Sequence, residues 1–336
     1  MVWEQNSPAS IHLWELLKVG IEAGITMRLA VPGYMDPQPS EMIVRHVPFN
    51  SWGRLMWEQK VLPDLVRKTG ANLLHSVTGS LPLACPVSCI FSPVGARTTN
   101  GSGLMADIQD SLGRGGYSRT RALLWPEDLP DPGGTVPVVP MPPHVHPLFS
   151  ATLFRLHYEL PETYIFCPGP LNKAEQEKLA ATWQWISAGL GEDWGLVIDG
   201  SFPQQAKRIR EQSGSAAPVL AVQEVLPGTR AGLMQKAAVV LLVGRPTSWG
   251  DPLLQSLACG RPIAAEETEW NALRAGLAAY LTPPDDSRML GAAVITLAIE
   301  EPVAEGLSQA ALKRAETLRA KSFAARLVAV YRELLP

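Results

Sequence analysis

The sequence predicts an α/β protein built from two doubly wound domains, and two observations support this. Apolar runs of strand length alternate along the chain with longer segments of helical period, which is the pattern of βαβ units and a parallel sheet. In addition, 336 residues are too many for one ordinary domain and suit two of about 150 residues each. Apolar residues make up 46% of the chain, which is enough material for two packed cores.

The first half of the chain opens with a predicted helix. Ser7 and Pro8 are typical of an N-cap and a first helical residue, and apolar residues then recur at helical spacing through Ile21. A second helix is expected from Trp52 to about Lys68. Strands are predicted at Met27 to Val31, Met42 to Val47, Leu73 to Val77 and Val87 to Phe91.

A proline-rich segment from Trp125 to Pro147 separates the two halves. Proline lacks a backbone N–H and breaks regular helices, so this segment is interpreted as the crossing between domains, with one short strand at Val136 to Val139. The predicted domains are residues 1–145 and 146–320. A closing helix over 321–336 follows, for which packing back on the first domain is considered.

The second half alternates more regularly. Strands are predicted at Tyr164 to Cys167, Gly195 to Ile198, Val219 to Val222, Ala238 to Leu242 and Pro262 to Ala264. Helices are predicted at about 173–188, 228–236, 251–259, 285–299, 304–320 and 322–334. Ligands of such sheets bind at the carboxyl ends of the strands, beside helix N-termini, so the two domains are expected to face each other across a ligand-binding cleft.

Charge and hydropathy argue against several classes of partner. The 29 basic and 32 acidic residues give a net charge of −3, which disfavours nucleic acid or an anionic membrane as the main partner. No stretch approaches the roughly 18 uninterrupted apolar residues of a membrane span, and the N-terminus does not resemble a signal peptide. A cytoplasmic location is expected, and peripheral association with the inner face of the membrane stays open.

Residues that could bind a metal are sparse. Cys85 and Cys89 lie close together in sequence but have no nearby partner ligands, so buried structural thiols in a reducing compartment are favoured. His144 and His146 stand among prolines without an accompanying acidic cluster. We therefore expect neither a metal site nor another cofactor.

The turn from Thr247 to Gly250 leads into a predicted helix that starts at Asp251. The first amides of a helix have no intrahelical partners and lie at the positive end of its dipole, so such a turn can bind a diphosphate. Gly250 would allow close approach of the backbone. An ordinary strand-to-helix turn is the alternative, and Asp251 favours it slightly because its negative charge would compete with phosphate.

The segment from Leu233 to Ile263 resembles the donor-binding core of glycosyltransferase family 4, which comprises retaining enzymes of the GT-B fold. The matching features are a helix ending in Ala-Ala, a buried strand, an aromatic-Gly-x-Pro turn (Trp249, Gly250, Pro252) and a helix through Ser256-Leu-Ala-Cys-Gly-Arg-Pro262. Weaker matches follow the family's order elsewhere. The resemblance is strong from about residue 160 to the end and moderate to weak over 1–150.

The resemblance implies a nucleotide-sugar donor and transfer with retention of configuration, without a protein nucleophile or a catalytic metal. It places the diphosphate near Lys173 and the amides of Ser248 to Gly250, the ribose on Gln255, and the base near Gln223 and Glu224. The predicted catalytic residues are Lys173, Thr247 and His75. The predicted donor-binding residues are Gly169, Asn172, Gln223, Glu224, Ser248, Trp249, Gly250 and Gln255.

Several positions depart from the family's pattern. The family has glutamates at the places of Thr247 and Gln255, and an arginine at the place of Pro170. Gln255 can still hydrogen-bond a ribose, whereas Thr247 is too short to replace a glutamate directly. The family also opens with a buried strand and a Gly-rich loop, whereas this chain begins almost at its first helix. For His75, a structural role is favoured over a general acid or base.

Two functions therefore remain open from the sequence. The first is a glycosyltransferase of the hexosyltransferase type that acts on a glycan, a lipid-linked or a small-molecule acceptor. The second is a catalytically inactive relative that serves as a binding or partner subunit beside another glycosyltransferase. A sugar-nucleotide epimerase or a phosphorylase on the same fold has no supporting motif.

Overall fold

The chain forms two compact units. The computed structural model describes residues 8–32, 42–45, 51–77, 82–92, 94, 120–129, 137–146, 159–169, 171–200, 203–222, 227–244, 249–318 and 320–335. Among these, the N-terminal unit takes in the residues up to Pro143, Trp249 and Gly250, and the residues from Lys321 onward. The remaining described residues form the C-terminal unit.

The secondary structure follows an α/β order in both units. The N-terminal part contains α1 (Pro8–Glu22), β1 (Leu29–Pro32), β2 (Met42–Arg45), α2 (Ser51–Met56), a π-helical segment (Trp57–Val61), α3 (Leu62–Thr69), β3 (Leu73–Ser76), β4 (Ser88–Phe91), β5 (Thr120–Pro126) and β6 (Val138–Met141). The C-terminal part contains β7 (Thr163–Cys167), α4 (Lys173–Leu190), β8 (Trp194–Asp199), α5 (Pro203–Ser213), β9 (Val219–Val222), α6 (Pro227–Lys236), β10 (Val239–Leu242), α7 (Pro252–Cys259), β11 (Ile263–Glu266), α8 (Glu269–Ala275), β12 (Tyr280–Thr282), α9 (Ser287–Ile299), α10 (Glu301–Thr317) and α11 (Ala320–Leu334).

The N-terminal unit holds two parallel sheets among its described residues. β1 pairs with β2, and the second sheet has the order β3-β4-β5-β6. Apolar side chains from α1, the second sheet and α11 form one core, which includes Leu16, Ile90, Leu124, Phe323 and Leu327. The C-terminal helix α11 thus contributes to the core of this unit.

An apolar cavity of about 470 Å³ lies within the N-terminal unit. Its lining includes Leu16 and Leu17 of α1, Leu29 of β1, and Leu73 and His75 of β3. Because β1 and β3 belong to different described sheets, the cavity lies between the two sheets of this unit.

The C-terminal unit is built on a six-stranded parallel sheet with the order β12-β11-β10-β7-β8-β9. The chain starts at the centre with β7 and moves outward to β9, then returns to β10 on the other side of β7 and moves outward to β12. Buried side chains of the strands and of α4 and α9 form the core, among them Ile165, Leu179, Trp183, Leu196 and Val294.

Close packing of two helices supports this sheet. Asn172 caps α4, and its side chain and that of Glu175 form a capping box, which satisfies amides that the first helical turn leaves without partners. Gly291 lets α9 approach α4, since a Cβ there would lie 2.8 Å from Cβ of Trp185 and 3.3 Å from the carbonyl oxygen of Thr182. A side chain at position 291 would therefore force the two helices apart.

The structure contains elements that the sequence pattern did not predict: β5, α5, α8 and β12. The segment interpreted as an interdomain crossing holds the end of β5 and all of β6. β6 lies at the end of its sheet, where proline is tolerated because one edge of the strand needs no donors. Among the described residues, no helix has the length and apolar composition of a membrane span.

Candidate functional site

A crevice is expected in the C-terminal unit where the direction of the chain across the sheet reverses. β7 and β10 are neighbours, but the chain leaves them toward opposite edges of the sheet. Loops that diverge in this way leave a crevice outside the carboxyl ends of the two strands. Gly169 follows β7 and Gly244 follows β10. A Cβ at Gly244 would lie 3.0 Å from Oε1 of Glu175, so glycine leaves room for this side chain at the start of α4.

A buried ion pair anchors the loop after β7. Asp199, at the end of β8, is 0% exposed and accepts the Gly169 N–H through Oδ1 at 2.6 Å. Arg230 of α6 is 4% exposed; its Nε lies 2.5 Å from Oδ2 of Asp199, and its Nη2 donates to the Gly169 carbonyl at 2.9 Å. Burial raises the pKa of Asp199, and the Arg230 guanidinium and the Gly169 amide oppose this rise. Gly169 is therefore held by hydrogen bonds to both its N–H and its carbonyl oxygen.

Lys173 is the first residue of α4 and lies at the surface. Its side chain is 81% exposed and its Nζ lies 3.8 Å from Glu177, one turn further along the helix. The preceding residue, Asn172, accepts the Glu175 N–H at 3.0 Å and donates its own N–H to Glu175 at 2.8 Å. This end of α4 is thus capped by its own side chains, and Lys173 is its exposed cation.

The N-terminus of α7 is also capped from within. Asp251 accepts the N–H groups of Leu253 and Leu254 through Oδ1, at 2.8 and 3.4 Å. Its Oδ2 lies 2.6 Å from Nη1 of Arg274, and both side chains are 1% exposed. From the sequence, the negative charge of Asp251 was expected to compete with phosphate and so to favour an ordinary turn slightly, but Arg274 of α8 neutralises this charge.

The remaining predicted donor residues of this turn have different surroundings. Gly250, immediately before Asp251, has φ +66°, a left-handed conformation that glycine adopts without strain. Gln255 lies within α7 and is 3% exposed. Five positions of the resemblance to family 4 lie outside the described residues: Pro170, Gln223, Glu224, Thr247 and Ser248. The predicted N-cap Ser7, the predicted end of a strand at Val47 and the predicted start of another at Val136 lie outside them as well.

Trp249 belongs to the core of the N-terminal unit. Its indole is 2% exposed and stacks on His12 with ring centroids 4.9 Å apart and an angle of 9° between planes. Phe323 of α11 contacts it edge-on at 5.5 Å. The Trp249 side chain therefore contributes apolar packing to this core.

His75 lies in β3 of the N-terminal unit within a chain of hydrogen bonds. Its Nδ1 is 2.7 Å from the Tyr331 hydroxyl and its Nε2 is 2.8 Å from the Ser92 hydroxyl. His12 Nε2 approaches the same Ser92 hydroxyl at 3.2 Å. Burial lowers the pKa of His75 from 6.5 to about 3, so the ring is neutral at pH 7. Both ring nitrogens have partners, which is the arrangement of a structural histidine.

This burial predicts a loss of stability in acid. The unfolded chain protonates His75 below pH 6.5, whereas the folded chain resists protonation down to about pH 3. The contribution is fully present above pH 6.5 and falls with decreasing pH by up to about 1.4 kcal/mol per unit, which gives about 2 kcal/mol between pH 8 and pH 5. Urea titrations at the two pH values measure it. His75→Gln should reduce the difference by this amount, and an unchanged difference would contradict the assignment.

Sequence reasoning missed the ionic partners in the C-terminal unit. Lys178 of α4 contacts Glu266 at 2.8 Å and Asp285 at 2.9 Å. Burial acts to lower the pKa of Lys178, but the two carboxylates raise it above its ordinary value. The sequence did contain a signal for the acidic members of these pairs, since Asp199 and Glu266 each end a buried strand. Their basic partners, Arg230 and Lys178, lie far away in sequence and left no local pattern.

Comparison with known proteins supports the fold. No family model matches the chain, and no curated protein matches it significantly. Sucrose-phosphate synthase from Thermosynechococcus elongatus is 13% identical with a TM-score of 0.71, and the match covers 96% of this chain and 92% of that one. WaaG, a glycosyltransferase involved in lipopolysaccharide biosynthesis, is 12% identical with a TM-score of 0.68, over 97% of this chain and 96% of that one.

A third similar structure belongs to a different reaction class. A protein from Listeria monocytogenes, assigned as a UDP-N-acetylglucosamine 2-epimerase, is 12% identical with a TM-score of 0.62, over 97% of this chain and 93% of that one. Together with the parallel sheets of both units, these likenesses confirm the predicted α/β fold class of the GT-B type with Rossmann-like sheets. At this level of identity they establish the fold and not the reaction.

Proposed function

We propose that the chain is a retaining glycosyltransferase, a divergent relative of family 4, that takes its sugar from a nucleoside-diphosphate donor. The observation that carries the proposal is the reversal of the chain between β7 and β10 in the sheet of the C-terminal unit, with Gly169 after β7 and Gly244 after β10, where a crevice is expected. Glycines at this place admit a diphosphate close to the backbone. The similarity to sucrose-phosphate synthase and to the glycosyltransferase WaaG supports the proposal of a glycosyltransferase.

The proposed roles follow the resemblance of the α7 region to family 4. Gln255 hydrogen-bonds the ribose of the donor, and Lys173 is the exposed cation nearest the start of α4. As the resemblance implies, the transfer with retention uses no protein nucleophile. The leaving diphosphate must then be stabilised electrostatically by hydrogen-bond donors and cations. The acceptor is a glycan, a lipid-linked or a small-molecule hydroxyl compound. No metal is part of the proposal.

Nucleotide binding provides the first test. We expect calorimetric titration with UDP, GDP and ADP, at low salt and without metal, to give heat with one of them. Gln255→Leu should weaken that binding by roughly tenfold, since a hydrogen bond to the ribose is lost. Gln255→Glu restores the family's carboxylate and should tighten it. Gln309→Leu on α10 is the matched control, because Gln309 bonds only to Glu305 on its own helix among the contacts described. Absence of heat with all three nucleotides contradicts the proposal.

A second candidate, a non-catalytic partner subunit, is favoured by the internally capped helices. Asn172 and Asp251 satisfy the first amides of α4 and α7, which would otherwise be available to a diphosphate. The cation Lys173 lies exposed beside Glu177. Release of nucleoside diphosphate from a nucleotide sugar by the purified chain alone would exclude this candidate.

A further inference from the structure

Arg230 has a donor group that its surroundings do not use. Its Nε and Nη2 are occupied by Asp199 and by the Gly169 carbonyl. Its Nη1 is buried and has no hydrogen-bond partner among the residues that the structure describes. A buried N–H of a cation without an acceptor is unfavourable, and such a group in a folded protein requires an explanation.

The geometry of the guanidinium directs this donor group away from its two partners. Arginine presents its donors as a rigid planar fork, and Nε and Nη2 share one edge of it. Asp199 and Gly169 take that edge, so the Nη1 end remains for a third group. Gly169 is the residue that leads from β7 into the loop at the reversal of the sheet. The cation is therefore fixed at the border of the expected crevice.

Among the described residues around this loop, the other charged side chains do not replace it. Glu175 is acidic and belongs to the capping box of α4. Lys173 is 81% exposed and lies beside Glu177, so water and that carboxylate screen its charge. Arg230 is held in place by two contacts and is 4% exposed, so its donors are already oriented in a region of low dielectric constant.

We infer that Arg230 binds the diphosphate of the ligand at this crevice, through Nη1, in the place of an arginine that the loop after β7 lacks at Pro170. This rests on the proposed function for the identity of the ligand. The Asp199 carboxylate and the Gly169 carbonyl orient the guanidinium, and the bound oxyanion supplies the acceptor for Nη1. α6 thus provides the cation that position 170 cannot.

The test compares ligand binding by variants of the full chain. Arg230→Lys keeps the charge but loses the fork, and Asp199→Asn combined with Arg230→Met removes both charges so that no buried carboxylate is left alone. Each should raise the Kd for the nucleoside diphosphate and for inorganic pyrophosphate by roughly tenfold to a hundredfold. The control is Arg208→Met, an exposed arginine of α5, which should leave both constants unchanged. Thermal melts without ligand identify variants that fold as the wild type does.

The outcomes separate the inference from the proposed function. If the wild type and the Arg230 variants bind a nucleoside diphosphate equally, the inference is overturned and the proposed function stands. If the wild type binds pyrophosphate through Arg230 but binds no nucleoside diphosphate, the inference holds and the proposed function fails. If the wild type binds none of these compounds, both are overturned.

Discussion

Replacing Arg274 by methionine is expected to lower the free energy of unfolding by about 3–5 kcal/mol, because it leaves the Asp251 carboxylate buried without its counter-charge. The two side chains are each 1% exposed, and Oδ2 of Asp251 lies 2.6 Å from Nη1 of Arg274. Methionine fills much of the space of the arginine stem, so the loss reports mainly the uncompensated charge. Urea denaturation followed by circular dichroism measures it.

Two further variants make this result specific. Asp251→Asn combined with Arg274→Met removes both charges while keeping a capping side chain on α7, and should recover much of the loss. Arg208→Met, at an exposed position of α5, should change the free energy of unfolding by less than about 0.5 kcal/mol. A single Arg274→Met variant as stable as this control would show that the buried pair contributes nothing.

The buried pair also changes how the N-terminus of α7 can act. Asp251 uses the amides of Leu253 and Leu254, so these two groups are not available to an anion in this arrangement. A diphosphate at the sheet reversal would depend more on side-chain donors than on helix amides. Of the two side-chain cations, the buried Nη1 donor of Arg230 would then contribute more to binding than Lys173, whose charge is screened by water.

The regular elements of the C-terminal unit were predictable because each combines a buried apolar run with a clear boundary. α7 was predicted at 251–259 and occupies Pro252–Cys259, and β7 was predicted to end at Cys167, as it does. α5 was missed because its apolar residues form only a narrow stripe, Ala206 and Ile209, in an otherwise polar segment. β5 was missed although only its last two residues, Trp125 and Pro126, lie in the proline-rich segment, which was interpreted as a crossing between domains.

The contacts of the candidate site were less predictable, since they join residues far apart in sequence. Arg230 reaches a carbonyl 61 positions earlier, and Arg274 pairs with a carboxylate 23 positions earlier. Local patterns carry no trace of either pairing, and the charge of Asp251 was therefore read as if it stood alone. The assignment of Lys173 as the diphosphate cation rested on its place after β7, and it stays a prediction.

Trp249→Ala is expected to lower the free energy of unfolding by about 3–5 kcal/mol, which is typical of truncating a large buried aromatic side chain. The indole is 2% exposed, stacks on His12 at 4.9 Å and meets Phe323 edge-on at 5.5 Å. Removing it would leave a cavity in the core that α1 and α11 share within the N-terminal unit. Urea denaturation measures the change.

Trp52→Ala is the matched control, because this tryptophan is 59% exposed in α2 and should cost less than about 0.5 kcal/mol. Trp249→Phe then separates packing from ligand binding, since phenylalanine retains part of the ring contact. If this variant keeps most of the stability and binds nucleotide as the wild type does, the indole acts in the core alone. If stability is kept while the Kd for nucleotide rises at least tenfold, which is a loss of about 1.4 kcal/mol or more of binding free energy, then Trp249 also contacts the donor, as the resemblance to family 4 implies.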